Sequence, residues 1–480
     1  MKGDDNMVHG WKMTTLLLIF LVCRPGLALA DTESAPLAVP ELWTPRLAVA
    51  FALKNNPDSA MAWQRLESAD SALLQARSSF YPRLDVSSSY RQTDNPMYSF
   101  GNILNQGAFN QNIDFNDPGR TDDLNLGVKL SYRFYNGGRD RAGIEAAAAG
   151  REANRLELGA VRSHLAFGAV RSYDLIVQAG ELVRAHETAL AAIEASLEVA
   201  RARYEEGVLL KADLLNLEVQ QSRSRENLIQ ASNALEVARQ TFLNLLGLQD
   251  GAVHLKTEGL EAQELPTGRD YRPRFELQSA AAMVRAAEAK LRLARGGRYP
   301  ALDGFAAYDL DKGFETDGSG DSWQAGLQLS YNLFDGRMTS AAIRGAKADL
   351  AEARQRQRKL DLAIGLEVTR AELALREAET RLEVSDKAVE QARESARIYR
   401  ARFKEGDVLA SDLITIENGL TDAQIRRTVA ENSRRIAVAD LRRSLGLPQF
   451  PDLPEESDMP GSIDPAKQPR PEVYDLPAID

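Results

Sequence analysis

Arg201 to Leu214 reads R-A-R-Y-E-E-G-V-L-L-K-A-D-L, and Arg400 to Leu413 reads R-A-R-F-K-E-G-D-V-L-A-S-D-L. Tyr204, Glu206, Gly207, Asp213 and Leu214 fall on Phe403, Glu405, Gly406, Asp412 and Leu413 at one constant offset. The offset runs on without a gap to Leu246-Gly247-Leu248 and Leu445-Gly446-Leu447. A period of about 200 residues is too long for a solenoid unit, so each copy is one half of a single molecule.

The flanks of each glycine turn are helical in pattern. From Arg139 to about Glu205 no proline occurs and Ala, Glu, Arg and Leu dominate. At 1.5 Å per residue such a helix reaches roughly 100 Å, far beyond a globular-domain helix. Met338 to Lys404 matches it in length. After the first turn a return helix carries Leu228, Ala231, Leu235, Ala238, Phe242 and Leu245 at coiled-coil spacing. Its duplicate starts alike (Leu413, Ile416, Leu420, Ala423) but then places Arg427 and Arg434 on that line. A seam that polar is expected to face water or another subunit.

Ahead of each long helix the period changes to two. Leu84, Val86, Ser88 and Tyr90 alternate with Asp85, Ser87, Ser89 and Arg91, and Leu124 to Phe134 alternates with Asn125, Gly127, Lys129, Ser131 and Arg133. The second half repeats the pair over about 302–308 and 323–333, where Trp323, Leu327, Leu329, Tyr331 and Leu333 form the apolar set. The connecting loop Gln92 to Asp123 is about 19 residues longer than Leu310 to Ser322, and loops are where duplicated halves are free to diverge. Eleven tilted residues cover roughly 28 Å, close to the apolar band of an outer-membrane barrel. Alternation alone fits a half-buried sheet in a soluble sandwich equally well. A membrane reading adds a condition: four strands cannot close a barrel, so copies must share one.

Composition sets limits. The chain has 480 residues and a formal net charge of -10, with 44% hydrophobic and 27% charged residues, so nothing points to nucleic acid. After residue 30 there is no apolar run of about 18 residues, hence no membrane-spanning helix. Lys2 and Lys12, the apolar run Leu16 to Val22 and Ala28-Leu29-Ala30 form a signal-peptide pattern over 1–30. The alternatives are a membrane anchor, for which the run is short, or lipidation at Cys23, the single cysteine, which Val22 precedes where a small residue is usual. Catalysis has no foothold: His164, His186 and His254 lack an H-E-x-x-H spacing, and Gly318-Ser319-Gly320 is no nucleophile elbow. No enzyme activity, metal or cofactor is expected.

The order Phe80-Tyr81-Pro82-Arg83-Leu84, strand, Tyr135-Asn136-Gly137-Gly138, long helix, Arg-Tyr/Phe-x-x-Gly turn, Leu-Gly-Leu, all duplicated, resembles the outer-membrane efflux protein family typified by TolC. The resemblance covers roughly residues 40 to 450. It implies a mainly α fold of long antiparallel hairpins forming an α-barrel tunnel, with four strands per chain entering an oligomeric β-barrel. It implies a homotrimer in outer-membrane lipid, its tunnel in the periplasm, and a passive exit duct meeting a periplasmic adaptor (membrane fusion) protein and an inner-membrane transporter. Tyr204, Gly207, Leu214, Phe403, Gly406 and Leu413 would then be adaptor-contact tips. Asp412 matches the first acidic gate ring, while the next ring position falls on Thr415, and Glu417 lies out of register. Asp213 is its duplicate in the first tip. For both aspartates a helix N-cap is the competing role. The competing reading of the whole chain is a soluble periplasmic coiled-coil adaptor or scaffold. Drugs, metals, siderophores and secreted polypeptides all remain open as cargo.

The expected organisation is a signal peptide (1–30), a first structural repeat (31–247), a connector (248–272), a second repeat (273–446) and a Pro-rich acidic tail (447–480). The first long hairpin is expected at about 139–246 and the second at about 338–445.

Overall fold

Thr44 and Asn56 set the entry to the structure, a computed structural model that describes residues 39–257, 263–451 and 453. The signal-peptide pattern and nearly all of the acidic tail lie outside the described residues. Thr44 accepts the Leu47 N–H at 3.2 Å and opens α1 (Pro45–Asn55); Asn56 accepts the Asp58 N–H at 2.7 Å and opens α2 (Pro57–Arg77). Proline follows each cap, where its missing N–H costs nothing and its fixed φ suits a first helical turn. A single 3-10 turn, Ser78–Phe80, leads into the first strand.

The strands are β1 (Arg83–Thr93), β2 (Thr121–Tyr135), β3 (Ala301–Lys312) and β4 (Ser319–Ser330). All pairs are antiparallel in the order β1-β2-β3-β4, so the β2–β3 ladder joins the two halves. The register puts Leu84, Val86 and Tyr90 beside Leu130, Val128 and Leu124. It continues through Tyr308 and Leu302 of β3 to Trp323 and Leu329 of β4. One face is therefore apolar from edge to edge. The other carries Asp85, Asn125, Lys129, Asp309, Asp311 and Gln324, with Asn125 donating to Asp311 at 2.9 Å. β4 ends at Ser330, so Tyr331, Asn332 and Leu333 lie beyond the strand expected over 323–333.

The loop from Gln92 to Asp123 is not structureless. It holds α3 (Pro96–Asn105), started by Asn95 accepting the Met97 N–H at 3.1 Å and by Pro96 in the first helical position.

The long rods are present: α4 (Arg139–Glu205, 67 residues) with return helix α5 (Lys211–Leu245), and α7 (Met338–Glu405, 68 residues) with return helix α8 (Ala410–Ser444). α6 (Phe275–Gly296) lies between, packing on α4 and α7. From Leu42 onward the described residues form one unit. Its central packing is Trp43, edge-on to Phe51 and Phe242 at 5.4 and 5.5 Å. The connector is tied there, with Leu255 bridged to Trp43 and the Lys256 carbonyl accepting the Tyr173 hydroxyl.

The coiled-coil positions of α5 turn inward as expected: Phe242 is buried, and Leu228, Ala231, Leu235, Ala238 and Leu245 are half-buried. The arginine line of α8 stays partly open to water, with the Arg427 and Arg434 side chains 44% and 41% exposed, and is also paired within the chain. Arg427 pairs with Asp386 at 2.7 Å and Glu431 at 3.2 Å, and Arg434 lies 3.9 Å from Glu379. The far half of α8 packs against both α4 and α7, and carboxylates on α7 supply the partners that the α8 sequence alone does not reveal.

Candidate functional site

Two regions of the structure carry functional geometry, and they lie at opposite ends of the rods. The first is the sheet. Its apolar face is bare: Trp323, Leu327 and Leu329 are 76%, 71% and 69% exposed, and Leu84, Val86 and Tyr90 are exposed as well. None of these side chains is buried under this chain's own helices, as a soluble sandwich would require. Aromatic residues band both ends of the face. Tyr90, paired Tyr308 and Trp323, and nearby Phe314 stand at the outer end; Tyr132 and Phe134, at 5.0 Å in edge contact, stand near the helices with Tyr81. Such bands sit where lipid tails meet headgroups. Among the described residues β1 and β4 each have one neighbour only. In lipid, an unpaired edge leaves backbone groups unsatisfied at several kcal/mol each.

The second region is the pair of hairpin tips. Gly207 at φ +77° and Gly406 at φ +92° end α4 and α7 in the left-handed conformation that glycine enters without a Cβ penalty. The N–H groups one residue on, of Val208 and Asp407, return to the carbonyls of Arg203 and Arg402 at 3.0 and 2.9 Å. Phe403 and Leu413, with Leu197, Ala200, Leu217 and Ala410, make a buried cluster joining both tips, and Leu214 packs at its edge. Phe403 and Leu413 thus shape the tips from inside. Tyr204, Gly207 and Gly406 lie on the surface. Arg203 crosses between the tips, donating to the Phe403 carbonyl at 2.8 Å, and Gln220 donates to Asn418 at 2.8 Å.

Asp213 and Asp412 do not cap their helices. The cap positions are Leu210 and Leu409, whose side chains accept nothing, and each aspartate sits in the first helical turn. There a carboxylate still interacts favourably with the helix N-terminus. Asp412 is exposed and Asp213 half-buried. Glu417 is occupied: its carboxylate takes both nitrogens of the Arg400 fork, one at 2.6 Å. Thr415 turns its hydroxyl back to the Ser411 carbonyl at 2.8 Å.

The sequence reading passed over Val208, Leu210 and Leu409. They are 61%, 72% and 62% exposed on the tips, a cluster of apolar side chains in water. The signal was present in Val208-Leu209-Leu210 and Val408-Leu409, aliphatic runs directly after each turn. Among the described residues no group of three or more His, Cys, Asp and Glu side chains is placed to hold a metal ion, and no helix is long and apolar enough to cross a membrane.

One four-strand sheet made of two duplicated strand pairs, bare on its apolar face and carried on paired rods of about 100 Å, defines the class of fold. The chain belongs to the outer membrane efflux protein family, whose model matches residues 49–248 and 272–447. It is 25% identical over 351 residues to protein CyaE of Bordetella pertussis, covering 70% of each chain. It is 23% identical over 336 residues to the outer membrane efflux protein BepC of Brucella suis, covering 67% of this chain and 72% of that one. Its fold matches the CmeC outer membrane channel of Campylobacter jejuni with a TM-score of 0.74 at 18% identity, over 85% of this chain and 87% of that one. The open state of the MtrE outer membrane channel of Neisseria gonorrhoeae matches at 0.64 and 17% identity, over 84% and 89%.

Proposed function

We propose that three copies of this chain form the exit duct of a tripartite export system. Each gives four strands to a twelve-stranded barrel in the outer membrane, and the hairpins join as a tunnel through the periplasm. The observation that carries this reading is the sheet: both edges are open and one whole face is apolar and uncovered, so the lowest-cost surroundings are lipid on that face and copies at the edges. The polar face then lines water.

The tips fit a periplasmic adaptor linked to an inner-membrane transporter. Tyr204, Val208, Leu210 and Leu409 offer apolar contact. Gly207, with open space beside it, allows close approach of another backbone while Gly406 is covered by Arg203. Leu214, Phe403 and Leu413 hold that surface in shape. Asp412 of three copies would ring the entrance and, with Asp213 set deeper, favour cations while it is shut. The duct is passive and cargo choice lies with the transporter.

Purified protein in a planar bilayer should conduct, co-fractionate with outer membranes and migrate as a heat-modifiable trimer. Release by osmotic shock as a monomer, without conductance, would overturn the reading in favour of a soluble periplasmic adaptor.

A further inference from the structure

The end of the sheet remote from the helices is covered on its polar side. α3 leaves β1 through Asp94 and Asn95 and brings its last residue, Asn105, against β4. A Cβ at Gly320 would collide with the Asn105 carbonyl oxygen, and one at Gly313 with the Gln106 side chain and the Thr316 hydroxyl. A Cβ at Gly318 would lie 2.5 Å from the Gln106 carbonyl oxygen. Gly320 pairs with Asp311, which shares the polar face with Asn125, so the seat is on that face.

The seat is also bonded. Gln106, 1% exposed, donates to the Asp122 carbonyl at 2.7 Å and the Asp123 carboxylate at 3.1 Å, and accepts the Thr316 hydroxyl at 2.6 Å. The Asp122 carboxylate accepts the N–H groups of Phe314 at 3.0 Å and Glu315 at 2.7 Å, and Arg120 pairs with Glu315 at 2.6 Å. The long loop of the first hairpin is therefore fastened across to the turn of the second. A buried amide with its polar atoms satisfied fixes one arrangement, because any other leaves those atoms unpaired in a dry site. Ser99, whose hydroxyl donates to the Thr93 carbonyl at 3.0 Å, and Ile103 are buried, while Met97, Tyr98 and Leu104 are left exposed.

We infer that α3 and its loop form a second constriction of the duct, at its exit, which limits the size of what leaves. The inference rests on the reading that three sheets close a barrel with the polar face inward. In that barrel α3 of each copy overhangs the lumen at the mouth, and the three helices narrow the opening from three sides. Pore width and the groups at its narrowest point decide what passes. Here the groups are apolar side chains on a fixed helix, so exclusion is by bulk.

The test uses a reporter on the lumen face, Lys129→Cys, in the full chain in cells, with a small maleimide and a bulky polymer-linked maleimide added outside. The small reagent should label Cys at 129 readily and the bulky one slowly. Replacing Met97 to Leu104 by a flexible linker, or Gly320→Val, which suits a strand but displaces Asn105, should speed bulky labelling at least about tenfold and leave small-reagent labelling unchanged. Should Gly320→Val fail to reach the membrane as a trimer, the linker variant decides. Equal bulky labelling with α3 in place overturns the constriction while leaving the barrel standing. No labelling by the small reagent overturns the barrel, and the constriction with it.

Discussion

Tyr204 and Phe403 hold the same position in the two repeats, yet Phe403 is 1% exposed and Tyr204 40%. Phe403 lies against Leu197, Ala200 and Leu217 of the first hairpin, with the Arg203 guanidinium 5.7 Å from its ring. In the closed ring proposed above, the exposed Tyr204 ring would be covered at the face between copies.

Tyr204→Ala is therefore expected to lower the temperature at which the trimer dissociates in detergent, whereas Tyr204→Phe preserves it. Phe403→Ala should cost about 3–5 kcal/mol, the usual cost of emptying a buried aromatic site, and loosen the tip as read by proteolysis at Gly207 and Gly406. If Tyr204→Ala leaves the dissociation temperature unchanged, Tyr204 is not at the junction.

An ion pair is duplicated too, with different weight. Arg201 and Glu218 sit 3.4 Å apart, both side chains well exposed, while Arg400 grips Glu417, whose side chain is 5% exposed. Exposed pairs contribute about 0–1 kcal/mol, but removing one partner of a buried pair strands a charge at about 3–5 kcal/mol. Arg400→Ala should destabilise the second hairpin on that scale, somewhat reduced by Arg400's partial exposure, and Arg201→Ala should barely register in thermal unfolding. Equal effects at the two sites would contradict the burial argument.

The duplication, the rods, the strand pairs and the apolar side of the sheet were legible because each is a periodic or local signal. Leu84 to Tyr90 and Leu124 to Phe134 alternate whatever surrounds them. What stayed hidden depends on partners far along the chain. Arg427 gives no sign in sequence that Asp386 of α7 will pair with it, and Gln106 none that Thr316 will be its donor. Asp213 and Asp412 looked like caps because Asp precedes an apolar pair, but each cap position falls three residues earlier, at a leucine. The candidate site residues were picked out through the repeat. Their burial, which separates Phe403 and Leu413 from Tyr204 and Gly207, comes only from packing the two hairpins together.

Position 138 in the first repeat is glycine and its duplicate, Arg337, is not. Gly138 has φ +74° and Arg337 φ +72°, both left-handed, just ahead of a long helix. A side chain there costs roughly 1–2 kcal/mol. Arg337→Gly should recover part of that, about 1 kcal/mol after the added freedom of the unfolded chain is counted, seen as a higher unfolding temperature. A fall would show that the Arg337 side chain does more for the turn than its backbone costs.

At the entrance, Asp412 is exposed while Glu417 is bound to Arg400, so Asp412 is expected to carry the cation interaction of the shut tips. Asp412→Ala should weaken block of single-channel current by multivalent cations added on the tip side, and Asp412→Asn should do the same, since charge rather than shape is at stake. Unchanged block in both variants removes Asp412 from the gate.

Two carboxylates, Asp174 buried and Glu276 half-buried, should give the helical part opposite pH responses. Burial between α4 and α8 pushes Asp174 up to about 6, and the Arg435 charge only partly offsets it. Burial also works against charge on Glu276, but donation from His164 and Arg274 outweighs it and holds that carboxyl well below the usual range. A native carboxyl raised above its unfolded value binds protons that the unfolded chain does not, so stability falls as pH rises towards and through about 6. For Glu276 the sign is reversed, and stability is lost as pH drops below the ordinary carboxylate value. Asp174→Asn should therefore stabilise the protein at pH 7 to 8 by up to about 3 kcal/mol, with the gain shrinking towards pH 4. Glu276→Gln, which leaves Arg274 short of a partner beside Glu367, should destabilise most at neutral pH and least in acid. Unfolding temperatures across pH 4 to 8 test both, and a gain for Asp174→Asn that does not shrink in acid would show that its benefit is not the removal of a buried charge.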